Sequence, residues 1–295
     1  MIERAFFSGA TTDILRQGAA VSKRQALLIS DAASVGVRVR CTGMRVCYGD
    51  RAPSLQLLEK RRRRDELSSM KFTYYGHACF AVQAGGKSLL FDPFISPNPL
   101  AKKIDVSKVA ADFILVSHGH GDHVADVVDI ASQTGAKVIA PFEVGSWFEN
   151  KGVKNVQPMN HGGAAKLDFG RVKLTSAIHS SSMPDGSYGG NPAGFIVESS
   201  DGNFYYSGDT ALTLDMKLVA DSTKLDFAVF PIGDFFTMGV DDAVRAAQFV
   251  GARKFVGVHY DTFPPIKIDH DAAMKAAQAA GKELLLPAIG ETLDI

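Results

Sequence analysis

The sequence predicts a layered α/β protein, and three observations carry the prediction. Apolar residues make up 46% of the 295 positions, 32 basic side chains balance 32 acidic ones, and from Met70 onward short β-rich runs alternate with longer stretches of helical period. Strands are predicted at 72–75, 79–83 and 88–91, then at 113–116 and 137–140. A second set falls at 172–177, 194–198, 204–206, 227–230 and 255–258, with Asp201-Gly202 as a hairpin turn between two of them. Helices are predicted at 124–133, 144–150, 212–220, 240–250 and 271–280, several ending near glycine. No internal sequence repeat is visible. A body of 226 residues, from 70 to 295, buries roughly 70–75% of its unfolded-state surface and suffices for one domain with a proper core.

Composition excludes several classes. No run approaches the roughly 18 apolar residues of a membrane span, and the first 35 positions lack the apolar core of a signal peptide. Three cysteines, Cys41, Cys47 and Cys79, are too few for a disulfide framework. The expected setting is therefore the reducing cytoplasm, without a membrane partner.

The zero net charge conceals a boundary. Residues 1–69 hold 11 of the 14 arginines and only 2 of the 18 lysines, for a net charge of +6 against −6 in the remainder. The break follows Lys60-Arg61-Arg62-Arg63-Arg64, and Met70 opens the strand pattern. Residues 1–69 are read as an Arg-rich extension, poorly ordered or arising from a mis-set translation start, and residues 70–295 as the folded domain. The rival reading makes the run a phosphate-binding tail of a non-catalytic nucleic-acid-binding protein. It is disfavoured because no aromatic residues interleave the run for base stacking.

All eight histidines lie at or beyond position 77. The densest chemical signal is Ser117-His118-Gly119-His120-Gly121-Asp122-His123, where a predicted strand gives way to a helix. Side chains alternate along an extended loop, so His118 and His120 point the same way while Asp122 and His123, at a helix start, face an adjacent position. The glycines allow a tight backbone path. Four potential ligands within six residues point to metal binding by one loop that serves two ions.

This H-x-H-x-D-H pattern after a strand resembles the signature of the metallo-β-lactamase superfamily. Further segments match in order: Leu90-Phe91-Asp92-Pro93, Ser176-Ala177-Ile178-His179, Ser207-Gly208-Asp209-Thr210 and Gly257-Val258-His259-Tyr260. The resemblance implies a four-layer αββα sandwich. It also implies that His118, His120 and His179 hold one metal and Asp122, His123 and His259 a second, with Asp209 bridging. Zinc is the expected ion of the pair, and manganese and iron suit the same ligand types. Asp92 is expected to orient a ligand histidine, its alternative being a strand-ending Asp-Pro turn.

Within the superfamily the aspartate bridge argues against antibiotic cleavage, and His120, where the diiron electron-transfer branch carries glutamate, argues against redox chemistry. The 49 residues between Asp209 and His259 leave no room for an inserted nucleic-acid domain. An RNA-processing nuclease of the same superfamily stays open, although its long arm has no counterpart here. Tyr75-Gly76-His77-Ala78-Cys79-Phe80, Pro158-Met159-Asn160-His161-Gly162-Gly163, Pro231 to Gly239 and His259 to Pro264 are similar to the metal-dependent hydrolase branch related to L-ascorbate-6-phosphate lactonases. That branch more often has asparagine where Phe235 and Asp261 stand, a departure that bears on pocket polarity. The implied activity is hydrolysis of a small ester, lactone or phosphodiester by a metal-bridging hydroxide, with Asp122 orienting it and accepting its proton. The partner is then a small-molecule substrate, and a homo-oligomer is compatible with the sequence. His77 reads either as approaching the site or as bonded to backbone, His161 as a loop anchor, His270 as exposed at a helix start and Cys79 as core. Thr237, Met238, Gly239 and Phe263 are candidate pocket walls.

Overall fold

The computed structural model describes residues 70–295, so the expectations for residues 1–69, Cys41 and Cys47 lie outside the described residues. Strands β1 (Lys71–Gly76), β2 (Cys79–Ala84) and β3 (Lys87–Phe91) form an antiparallel meander, to which β4 (Phe113–Leu115), β5 (Lys137–Pro141) and β6 (Val156–Met159) add in parallel. In the second sheet β7 (Ala164–Leu167), β8 (Gly170–Ser176), β9 (Ala193–Ser199) and β10 (Asn203–Tyr206) are antiparallel, and β11 (Phe227–Pro231), β12 (Lys254–Val258) and β13 (Glu283–Leu285) follow in parallel. β14 (Thr292–Asp294) returns to pair with β1. Parallel neighbours need a crossover, whereas antiparallel ones can be joined by a tight turn. The crossovers are α2 (Val127–Thr134), preceded by the single turn α1 (Gly121–Val124), then α3 (Phe142–Asn150), α4 (Lys217–Ser222), α5 (Val240–Phe249) and α6 (His270–Ala279).

Alternation along the strands explains why both faces of each sheet are dry. Phe72, Phe80, Val82, Leu89, Phe91, Phe195, Phe204, Tyr206, Phe227 and Val229 meet between the sheets. Their neighbours turn outward: Cys79, Ala81 and Leu90 pack with Val127, Ile130, Val144 and Phe148, and Tyr205, Ala228 and Phe230 pack with Val219, Ala243, Ala247 and Ala277. A sheet buried on both faces reads as continuous apolar runs, as here. Each fully buried phenylalanine contributes roughly 1.5–3 kcal/mol. The result is the expected α/β sandwich, two mixed sheets flanked by helices. Among the described residues no helix is long and apolar enough to cross a membrane.

Where the structure departs from the sequence reading, the cause is local. The helix expected over 124–133 is broken at Asp126, whose buried carboxylate accepts from the Ile95 and Ser96 amides at 2.6 and 3.0 Å. The helix expected over 212–220 starts as a 3₁₀ turn at Leu214–Met216, and α4 follows. Strands β6, β7, β13 and β14 had no strand signal, and these four are the outermost strands of the two sheets. The halves also share one topology, an antiparallel meander continued by parallel strands, although no sequence repeat announces it.

Candidate metal centre

The predicted ligands gather where β4, β8, β10 and β12 end on the same rim of the sandwich. His118, His120, Asp122 and His123 lie on the segment from β4 into α1, His179 follows β8, Asp209 follows β10 and His259 follows β12 directly. The backbone there is forced. Among the described residues the non-glycine positions with positive φ are His77, Asp92, Asp234, Phe235, His259 and Asp261, all just beyond the ends of β1, β3, β11 or β12. Such strain gathers where surrounding structure over-determines a functional geometry. Before Asp209, Gly208 sits at φ +63°, and a Cβ there would lie 2.4 Å from the Ala193 carbonyl oxygen. Of the two loop glycines, Gly119 is needed because a Cβ would lie 2.4 Å from Met183 Sδ, whereas Gly121 faces open space.

Ligand-type atoms of His118, His120 and His179 lie within 4.8 Å of one another, and so do those of His77, Asp122, His123 and His259. His118, His123 and Asp209 form a third such group, so the two pairs of the loop adjoin one another and do not separate cleanly, with the His118 and His123 rings 4.1 Å apart. Asp209 joins the groups: its Oδ2 is 3.8 Å from His179 Nε2, 3.2 Å from His123 Nε2 and 3.0 Å from His259 Nε2.

Neighbouring residues fix the rings. Asp92 is fully buried and its two oxygens accept from the Ser117 amide at 2.7 Å, Ser117 Oγ at 2.6 Å, Tyr206 OH at 2.6 Å and His123 Nδ1 at 2.9 Å. It therefore orients His123, presenting Nε2 to the cluster, and is not merely a turn residue. Ser117 Oγ also lies 2.9 Å from His118 Nδ1. His77 approaches the site. Its Nε2 is 3.1 Å from Asp122 Oδ2 and its Nδ1 is 3.0 Å from Thr262 Oγ1. A carboxylate only accepts, so Nε2 carries the hydrogen and Nδ1 accepts from the threonine hydroxyl. Burial and the facing His259 push the His77 pKa down to about 4, which keeps the ring neutral.

Burial, reinforced by His123, also lowers the pKa of His118 and His120, and burial lowers that of His179 despite Asp209. Neutral imidazoles keep the lone pair that a ligand needs. Against burial, Asp209 and Asp92 raise the pKa of His123 well above its ordinary value. Burial works against the charge of Asp122 and Asp209 too, yet the His77 hydrogen bond holds the former low and His259 and His123 the latter. His123 Nε2, Asp209 Oδ1 and His259 Nδ1 are buried without a hydrogen-bond partner. Such orphaned polar atoms are costly, and a cation at the cluster fits His123 Nε2 and Asp209 Oδ1.

The other histidines behave as anticipated: His161 Nε2 donates to the Pro192 carbonyl at 2.8 Å, and His270 begins α6 and pairs with Asp261 at 2.7 Å. Cys79 is buried core. Phe263 stands beside the site, its ring 5.4 Å from that of His77, and Met238 is buried in the core cluster that holds Phe230 and Ile232. Sequence reasoning missed Tyr206, Ser117 and Thr262 because each acts through a tertiary hydrogen bond that no local pattern encodes.

A sandwich of two mixed sheets with a histidine-aspartate cluster on its rim defines a protein of the metallo-β-lactamase superfamily, and a profile of the beta-lactamase superfamily domain matches residues 87–260. A UPF0173 metal-dependent hydrolase of Flavobacterium johnsoniae is 51% identical over 226 residues, which cover 77% of this chain and all of that protein. The chain belongs to this family of UPF0173 metal-dependent hydrolases. Among solved structures, Igni18, a metallo hydrolase of the archaeon Ignicoccus hospitalis, is 32% identical with a TM-score of 0.69, covering 76% of this chain and 97% of that one. An isothiocyanate hydrolase from Delia radicum gut bacteria shares the fold at 19% identity and a TM-score of 0.61, over 77% of this chain and 99% of that one.

Proposed function

We propose that the protein is a dinuclear hydrolase of a small ester, lactone or phosphodiester. His118, His120 and His179 hold one divalent ion, Asp122, His123 and His259 a second, and Asp209 reaches both. Zinc suits the imidazole-carboxylate set, with manganese and iron as alternatives. The observation that carries this reading is the convergence of these seven side chains around buried polar atoms that lack partners. Lactones enter through the resemblance of the His77, Pro231–Gly239 and His259 segments to lactonase-like hydrolases. The whole length of the Flavobacterium relative is accounted for by 226 residues, 77% of this chain, which supports residues 70–295 as the hydrolase domain.

When bound, two such cations make water acidic enough to ionise near neutral pH and offset negative charge that builds on oxygen. The remaining work falls to the chain. Asp122 has one oxygen committed to His77, leaving Oδ1, 4.0 Å from His123 Nε2, to orient the attacking water and take its proton. His77, locked between Asp122 and Thr262, holds that carboxylate in one rotamer. Asp92 does the same for His123.

The test is to reconstitute the protein with zinc, manganese or iron and screen esters, lactones and phosphodiesters, with Asp209→Ala as control. Turnover that needs metal and collapses in the variant is expected. Activity that survives chelation and metal-free dialysis, or structured RNA cleaved far better than any small substrate, would overturn the reading.

A further inference from the structure

Two phenylalanines stand out at the rim. Phe235 and Phe236 are 72% and 52% exposed, their rings edge to face at 4.8 Å. They occupy the tip of a tight turn in which the Thr237 amide donates to the Asp234 carbonyl at 2.7 Å, with Asp234 at φ +60° and Phe235 at φ +22°. A bulky residue at positive φ is an outlier. Both the strain and the exposure are unfavourable, and neither ring joins a core cluster of the described residues.

The base of this turn stands on the metal centre. A Cβ at Gly233 would lie 2.2 Å from the His259 carbonyl oxygen, and the Met238 amide donates to the Thr210 carbonyl at 3.0 Å, next to Asp209. Thr210 Oγ1 also accepts from the amide of Ile178, at 2.9 Å, which precedes His179 and is 56% exposed. One residue therefore ties both apolar projections to the bridging aspartate. On the side of His77, Phe263 stands beside the site.

Charge points the same way. The cluster pairs only with itself and Asp92, and among the described residues no lysine or arginine forms an ion pair with any member. Sites that grip phosphate or carboxylate tails use arginine or lysine. Here Asp234, next to Phe235, carries an exposed carboxylate and lines one cavity with Asp241, Asp242, Asp269 and Lys267, a net negative set that disfavours such tails.

We propose that Phe235, Phe236 and Ile178 form an apolar lip for the uncharged hydrocarbon part of the substrate, so that the scissile bond is an ester or lactone bearing an apolar acyl group, and not a phosphodiester or the lactone of a phosphorylated sugar. This rests on the hydrolase reading above. In the step itself the oxygen of water bonds to the acyl carbon and the acyl C–O bond breaks. One water proton ends on the leaving alcohol oxygen, and the other is released by the acid product.

The experiment uses the full chain, reconstituted with metal, in two arms. Calorimetry measures binding of straight-chain carboxylates from acetate to decanoate as product mimics, and kinetics compares p-nitrophenyl acetate, p-nitrophenyl octanoate and bis-p-nitrophenyl phosphate. In the unsubstituted protein each added methylene should tighten binding about twofold, half-buried, to fourfold, fully buried. The octanoate ester should be the best substrate by kcat/KM and the phosphodiester the worst. Phe235→Ser/Phe236→Ser, and separately Ile178→Ser on another segment, should flatten the chain-length dependence while acetate binding stays the same. Unchanged dependence in both variants, or none in the unsubstituted protein, overturns the lip. So does a dimer that the double variant dissociates, because the aromatic tip would then be a subunit contact. Esters cleaved without regard to chain length sink the lip and leave the hydrolase reading. Length-dependent carboxylate binding without cleavage of any ester leaves the lip and sinks that reading.

Discussion

Replacing Asp92 tests the centre most directly, because its two oxygens serve four donors that cannot all be re-satisfied. In Asp92→Asn one oxygen becomes an NH₂ group. If that group takes the place of Oδ1 it faces the Ser117 backbone amide, a donor that cannot turn round. If it takes the place of Oδ2 it faces Ser117 Oγ, Tyr206 OH and His123 Nδ1. The hydroxyls can rotate, but the imidazole can adapt only by moving its hydrogen to Nε2, the atom presented to Asp209. One stranded buried donor costs about 1–3 kcal/mol, and loss of a buried charged partner about 3–5 kcal/mol. Taking the larger range, and about 2–4 °C per kcal/mol for a body of this size, the melting temperature should fall by roughly 6–20 °C. Metal affinity should weaken roughly 10–100-fold. Thermal unfolding with and without chelator, beside elemental analysis after dialysis against a competing chelator, reads both quantities. A variant that melts within about 2 °C of the parent and keeps its metal at unchanged affinity would refute the orienting role.

Three other outcomes follow from the same geometry. At saturation elemental analysis should find two ions per chain, with His179→Ala emptying one site and Asp209→Ala disturbing both; one ion per chain that persists without Asp122, His123 and His259 would contradict the two-site arrangement. Truncation to start at Met70 should leave metal content and melting temperature nearly unchanged, and a loss of several degrees would place residues 1–69 within the folded unit. Gly233→Ala forces the His259 carbonyl to move, since the new Cβ would sit 2.2 Å from it, so metal loss confined to the Asp122/His123/His259 site is expected, and full two-site occupancy would show that the loop yields instead.

The four loop candidates were legible because three histidines with an aspartate in six positions have no structural reason to cluster, whereas His179, Asp209 and His259 were named only through the resemblance to the metallo-β-lactamase superfamily. Interior strands were legible because sheets buried on both faces leave dense apolar runs such as Phe227–Pro231. Edge strands were not. β7 reads Ala-Ala-Lys-Leu and β14 Thr-Leu-Asp, each only half buried, while Pro158 in β6 lacks an amide to donate to a ladder. Their pairing comes from the neighbouring strand and not from their own pattern. The role of Asp92 could be guessed, yet Tyr206 could not, because a tyrosine in a buried strand looks the same whether its hydroxyl meets a carboxylate 114 residues away or a water molecule.

The division of the ligands between the two halves of the sandwich has a consequence for how the protein is made. The loop from His118 to His123 belongs to the first sheet, and His179, Asp209 and His259 to the second. His259 follows His123 by 136 residues, so at about 5–20 residues per second a ribosome exposes the four-ligand loop roughly 7–27 s before its last partner is synthesised. During that interval the nascent chain can capture an ion only loosely, with partners borrowed from solvent. β14, which closes the first sheet against β1, comes later still, and its end is stitched to the beginning by the Ile295 amide on the Met70 carbonyl at 2.9 Å. On the proposed ligand set, tight metal retention would be a late event in the life of each molecule, and cells starved of the ion during synthesis should accumulate chains that are fully folded in outline and still able to load afterwards.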